Sequence, residues 1–246
     1  MTLTIANREL RLEVAHNVRH LGGYPAREGR TTSDAVIRSA GLHRLTAKGL
    51  GALADAGVKV IVDLRSTVER ERDVTPDPSA AGIAHVFAPV FEQDHSPVGA
   101  AGSEFPGYFV VYQRILESGR TAYRTLFETV AETDGKVVFH CAAGKDRTGV
   151  AAALMLALAG VEDETIVEDY AQSSRLLEPL LAEWLPKMAE RGIDEVKARQ
   201  LMASEPEDMR RTLEHVDALY GGAAGYLESI GVSATVLSAV KARMVA

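Results

Sequence analysis

Apolar positions follow two alternating spacings through the first two thirds of the chain. Short β-branched runs occur at Val36-Ile37 beside Arg38, at Val58 to Asp63, at Ile83 to Ala88 and at Lys136 to His140, each of strand length. Stretches with apolar residues three and four apart separate them. This alternation predicts an α/β fold, with a mostly parallel central sheet flanked by helices. Between the first two runs, Thr46 suits the N-cap of a helix running through Ala56, and Gly57 suits its C-terminal stop. Tyr108 to Leu116 and Ala122 to Val130 predict paired helices parted by Ser118-Gly119. Asp134-Gly135 then turns the chain into Lys-Val-Val-Phe-His, whose apolar centre suits an inner sheet position.

From Asp163 onward the pattern is helical, with breaks expected at Pro179, Pro186, Gly192, Pro206, Gly221-Gly222 and Gly231. Part of this segment should pack on the sheet. The charged stretch within about 164–211 is long enough to fold over a site as a C-terminal helical cover, or lid, although its charges read more simply as a solvated face. Pro89 to Pro106 is rich in proline and glycine and poor in periodic apolar positions, which predicts a long surface loop. With no internal repeat and no low-complexity tract, residues 1–246 read as a single domain.

Composition narrows the classes. With 46% hydrophobic and 25% charged residues, the chain of 246 can bury a sizeable core. A net charge of −7 argues against nucleic acid as a partner, because binding a phosphate backbone needs clustered Lys and Arg, and it requires any anionic substrate to find a local pocket. The most apolar segment, Val150 to Ala159, is about half the length of a membrane-spanning helix, so no transmembrane segment is expected. The first residues lack an apolar run behind a basic start, which points to a cytoplasmic location and leaves open export without a cleaved signal. The histidines outside the strand ends, His16, His20, His43, His85, His95 and His215, show no ligand spacing; no metal and no cofactor are expected. One cysteine, Cys141, rules out an intrachain disulfide and leaves its thiol as either buried filler or a reactive group.

Its neighbours favour reactivity. His140-Cys141-Ala142-Ala143-Gly144-Lys145-Asp146-Arg147-Thr148-Gly149 joins an apolar strand to an apolar helix, and five residues separate Cys141 from Arg147. A loop of this length can curl so that backbone N–H groups converge on an anion at the positive end of the helix dipole. Ala142, Ala143 and Gly144 let the backbone approach a phosphate closely, and Gly144 can adopt positive φ. The helix N-terminus, Arg147 and Lys145 favour the thiolate over the thiol. Arg147 offers a planar fork for two phosphate oxygens, Lys145 adds charge beside them, and Thr148 is placed in sequence to donate its hydroxyl to the sulfur. His140 reads as structural. Asp63 and Arg65, at the end of a strand, are either an ordinary ion pair or a support in which Asp63 holds Arg147 or the loop.

The segment resembles the signature loop of the cysteine-dependent protein tyrosine phosphatase superfamily. Its filling, CAAGKDRTG, is similar to that of bacterial tyrosine phosphatases with both Lys and Asp in the loop, a group with mycobacterial and Listeria members. Asn17-Val18-Arg19-His20-Leu21-Gly22-Gly23-Tyr24 resembles the N-terminal pattern of that group, with His20 where aspartate is more usual; it reads either as a glycine turn or as a contact to the site. Val62 to Ser66 with Glu69, and Tyr220-Gly221 with Tyr226-Leu227 and Gly231, extend the resemblance over nearly the whole chain. The resemblance implies hydrolysis of phosphotyrosine, with phosphoserine, phosphothreonine or phosphoinositide as further substrates, through a phosphocysteine intermediate. It implies Asp146 as general acid, with Asp94 in the proline-rich segment as the alternative. A non-catalytic phosphate-recognition module, a phosphoinositide phosphatase, which the Lys and Asp pair in the loop also resembles, and a sulfur-transfer enzyme are the competing readings.

Overall fold

The computed structural model describes residues 8–10, 12, 14–32, 34–92 and 105–246, so Asp94 and most of the proline-rich segment lie outside the described residues. The strands among these are β1 (Arg19–His20), β2 (Pro25–Ala26), β3 (Gly29–Arg30), β4 (Val36–Ser39), β5 (Val58–Asp63), β6 (Ala84–Phe87) and β7 (Lys136–His140). The α-helices are α1 (Ala47–Asp55), α2 (Thr67–Arg72), α3 (Tyr108–Ser118), α4 (Arg120–Glu132), α5 (Asp146–Leu158), α6 (Asp163–Leu176), α7 (Glu178–Glu190), α8 (Glu195–Met202), α9 (Pro206–Tyr220), α10 (Ala223–Ser229) and α11 (Ala234–Met244). The main sheet has the order β1-β4-β7-β5-β6, with β1 antiparallel and the other four strands parallel; β2 and β3 pair separately. The four β-branched runs of the sequence are therefore the four parallel strands.

Side-chain alternation divides the core into two layers. Val36, Val62, Val137 and Phe139 face the larger cluster, which takes residues from α3 to α6 and α9 to α11. Ile37, Ile61 and Val138 face the opposite side with Leu50 and Leu53 of α1. Thr46 caps α1 by accepting from the Gly49 amide, and Gly57 ends it at φ +87°. Helix α5 is buried at every position from Thr148 to Leu156, the behaviour of a helix that is apolar all round.

The break expected at Pro186 does not occur: α7 continues through it. Leu180, Leu181, Trp184, Leu185 and Met188 lie on both sides of the proline and pack in a third cluster with Ala198 and Met202 of α8 and with Ala40 and Ala143. That burial offsets the single helical hydrogen bond a proline removes. In the segment read as a cover, α6 and α9 belong to the main core, and α7 with α8 packs against Ala143 of the loop. Among the described residues, no helix is long and apolar enough to cross a membrane.

Candidate active site

Strand β7 is the middle strand of the sheet, flanked by parallel β4 and β5, so the chain leaving it emerges between their carboxyl ends, where open α/β sheets hold ligands. Residues 141–145 form that connection to α5. The carbonyls of Cys141 to Gly144 face outward and are taken one by one. The Cys141 carbonyl meets His140 Nδ1 at 3.2 Å, the Ala142 carbonyl accepts from the Gly41 amide at 2.8 Å, and the Ala143 and Gly144 carbonyls accept from Asn17 Nδ2 at 3.2 and 3.0 Å. Gly144 O also accepts from Arg38 Nη2 at 2.9 Å. With carbonyls fixed outward, the N–H groups of the curl are directed toward its inside. Gly144 has φ +65°.

A buried charge network holds the back of the loop. Asp169 of α6 accepts from Arg19 Nε at 2.9 Å, Arg38 Nη1 at 2.5 Å and the Tyr24 hydroxyl at 2.7 Å. Arg19 also donates to Ser173 Oγ and to Asn17 Oδ1, which orients the Asn17 amide toward the loop carbonyls. Burial would raise the Asp169 pKa, but the two guanidiniums hold it well below the usual carboxylate range. Burial, then Arg19, lowers Arg38 to about 10, which leaves it charged at neutral pH. Burial and the Asp169 charge raise Tyr24, which stays protonated and donates. One carboxylate between two guanidiniums leaves a positive excess beneath the loop, a field that favours an anion above it. The Asn17 to Tyr24 motif thus contacts the site, and His20 Nδ1 accepts from the Gly22 amide at 3.2 Å, serving the turn as an aspartate oxygen would.

Arg147 is held by Glu69, not by Asp63. Its Nη1 and Nη2 donate to Glu69 Oε2 and Oε1 at 2.6 and 2.7 Å, a bidentate fork. Glu69 owes its position to a capping box at the start of α2, in which Ser66 Oγ accepts from the Glu69 amide and Glu69 Oε2 accepts from the Ser66 amide. Burial opposes charge on both partners, yet Arg147 keeps the Glu69 pKa low. Glu69, then the charge of Cys141, raises that of Arg147. Asp63 instead pairs with Arg65, whose Nη2 donates to Oδ2 at 2.7 Å and whose Nη1 reaches the Asp73 carbonyl. This pair braces the turn before α2. Of the two sequence alternatives the structure shows the ion pair, for a geometric reason: Asp63 and Arg65 are two residues apart on one turn and satisfy each other.

His140 donates from Nδ1, since a carbonyl only accepts, and burial pushes its pKa down to about 4 against the pull of Asp63. Asp63, His85 and His140 bring possible ligand atoms within 4.8 Å of one another. Arg65 already occupies the carboxylate and Arg70 Nε stands 3.9 Å from Oδ2. Two guanidiniums around one carboxylate oppose a further cation, so this set does not fit a metal.

Asp146 opens α5, with Oδ1 accepting from the Tyr112 hydroxyl at 2.8 Å. Lys145, expected beside the phosphate, is fully buried. Its ammonium donates to the Leu201 and Ala203 carbonyls at 2.9 Å each and lies 3.6 Å over the Tyr108 ring. The C-terminal carbonyls of α8 lack helical partners and attract a cation, which explains the difference. Thr148 is buried, and its Oγ1 has no hydrogen-bond partner, so the expected bond to the sulfur is not made. Cys141 itself is buried and adjoins the main apolar cluster.

The tyrosine phosphatase family model matches residues 10–246. The chain belongs to the tyrosine phosphatase family. It is 34% identical over 234 residues to a tyrosine-protein phosphatase of Nostoc commune, covering 86% of this chain and 74% of that one. It is 26% identical over 238 residues to the triple specificity protein phosphatase PtpB of Mycobacterium tuberculosis, covering 80% of this chain and 86% of that one. In this phosphatase, Glu69, Tyr112, Asp169 and Tyr170 are site residues to which the sequence alone assigns no role. Only Glu69 carries a local signal, the Ser-x-x-Glu spacing of a capping box.

Proposed function

We propose that this phosphatase works through a phosphocysteine on Cys141 and belongs with the bacterial enzymes that carry Lys and Asp in the signature loop. The observation that carries the reading is the outward tethering of the Cys141 to Gly144 carbonyls, which points the amides at an anion beside the sulfur. The Cys141 thiolate attacks phosphorus while Arg147 neutralises the charge growing on the equatorial oxygens. The ester P–O bond breaks, and Asp146 gives its proton to the leaving oxygen. Water then attacks phosphorus and passes a proton to the Asp146 carboxylate. The S–P bond breaks, returning the thiolate and releasing inorganic phosphate. The unpartnered Thr148 hydroxyl is a donor available to the sulfur at that moment.

Residues 1–246 act as one phosphatase domain, and the pair α7 and α8 serves as the lid, since it covers a loop whose Cys141 and Lys145 are both buried. Phosphotyrosine is the leading substrate. The name of the mycobacterial relative, a triple specificity protein phosphatase, supports a range of substrates wider than one phosphoester, and phosphoserine, phosphothreonine and phosphoinositide are the further candidates. Turnover of an aryl phosphate tests the reading: activity is expected in the protein and absent in Cys141→Ser. Activity persisting in that variant overturns it. Matched assays with phosphotyrosine and phosphoserine peptides and a phosphoinositide rank the substrates, and a strong preference for the lipid would displace phosphotyrosine from first place.

A further inference from the structure

Behind Asp146 stand two buried phenols from different helices. Tyr112 of α3 donates to Asp146 Oδ1 at 2.8 Å, and the hydroxyl of Tyr170 from α6 contacts that of Tyr112. A carboxylate oxygen accepts and a phenol has one hydrogen, so with the Tyr112 hydrogen committed to Asp146, Tyr170 is the donor to Tyr112. Burial, then the Asp146 charge, raises both phenols well above their ordinary pKa, and neither ionises in the working range. The rings meet edge to face, with centroids 5.9 Å apart at 84°. Gly149 permits that packing, because a Cβ there would lie 3.2 Å from the Tyr170 ring.

We propose that Tyr112, backed by Tyr170, is the positioning residue of the general acid: it engages Oδ1 and leaves Oδ2 of Asp146 to carry the proton to the leaving oxygen. The inference rests on the reading of Asp146 as that acid. Without the Tyr112 hydrogen, the carboxyl group rotates about a broad terminal torsion and its proton settles on either oxygen. Lys145 Nζ, 3.4 Å from Oδ1, is bound to the α8 carbonyls and is a poor substitute. The loss is felt where protonation matters, with esters of weakly acidic alcohols, and little with esters of acidic phenols.

The test is kcat/KM across phosphate esters from acidic aryl to alkyl leaving groups, for the unmodified protein, Asp146→Asn, Tyr112→Phe, Tyr170→Phe and Tyr112→Phe combined with Asp146→Asn. Tyr112→Phe is expected to lose about tenfold to a hundredfold on the poorest leaving groups, a part of what a general acid supplies, and little on the best. Tyr170→Phe is expected to lose less in the same direction, and Tyr112→Phe to add no leaving-group dependence in the Asp146→Asn background. Equal losses on every ester, or the same extra loss in both backgrounds, overturn the positioning role. If Asp146→Asn steepens the dependence and Tyr112→Phe does not, only this inference falls. If Asp146→Asn changes nothing, the acid assignment falls with it. Should Tyr112→Phe fail to fold, Tyr170→Phe decides by the same contrast between poor and good leaving groups.

Discussion

Gly144 has no space for a side chain. An added Cβ would lie 2.3 Å from the Ser39 carbonyl oxygen and 2.6 Å from the Ala40 amide, both backbone atoms, at a φ of +65° that other residues rarely adopt. Gly144→Ala is expected to abolish measurable phosphatase activity and to cost about 1–3 kcal/mol of stability. Urea denaturation alongside aryl phosphate turnover checks both; full activity in a folded variant would contradict the loop geometry. At Glu69, a glutamine keeps the shape but presents an amide to one arm of the Arg147 guanidinium. Glu69→Gln is expected to reduce kcat/KM at least tenfold while costing about 1–3 kcal/mol. Steady-state kinetics that matched the unmodified protein would show that Arg147 holds its place without the fork.

The elements that hold the loop come from distant parts of the chain. Asp169 on α6 balances Arg19 of β1 and Arg38 of β4, all three fully buried. Asp169→Asn leaves two buried guanidiniums without their anion, and a loss of about 3–5 kcal/mol is expected in chemical denaturation. A change below about 1 kcal/mol would show the network to be dispensable. Lys145 joins the loop to α8. Lys145→Met is expected to speed hydrogen exchange in α8 while leaving β7 protected; unchanged exchange would mean that the apolar cluster alone seats α8.

These contacts also mark what could be read from the chain. The strands were legible because β-branched runs of the right length have one good use, and the loop because Cys141, Gly144 and Arg147 sit close together in sequence. Glu69 was legible in principle through Ser66. Asp169, Tyr112 and Tyr170 were not, because their partners lie on other elements and an isolated Asp or Tyr on an amphipathic helix has no pattern of its own. Pro186 misled because its local effect was outweighed by the apolar face on both sides of it.

At the scale of the molecule, the buried pair beneath the site predicts an acid limit to stability. Burial lowers His140 from 6.5 to about 4. Asp63 lies at about 2 despite burial, through His140 and Arg65. Since folded His140 refuses a proton that the unfolded chain accepts, its contribution is complete above pH 6.5 and is lost as the pH falls toward about 4. The slope in that window is at most about 1.4 kcal/mol per pH unit. The Asp63 contribution is present above its ordinary 3.8 and lost from there down to about 2. Denaturant midpoints should therefore fall through the histidine window, and His140→Gln should flatten that part of the curve; a variant with the same slope would assign the loss to other groups.

In the proposed mechanism every level of the structure serves one sulfur atom: the sheet order sets the loop, the buried arginines and Asn17 hold its carbonyls, and Glu69 presents Arg147. The most direct measurement is an acid quench, within a turnover, of the protein mixed with excess aryl phosphate, followed by peptide mass analysis. One phosphoryl group mapped to Cys141, and absent in Cys141→Ser, is the result expected. Turnover with no adduct, or with the phosphoryl group on another residue, would contradict the account.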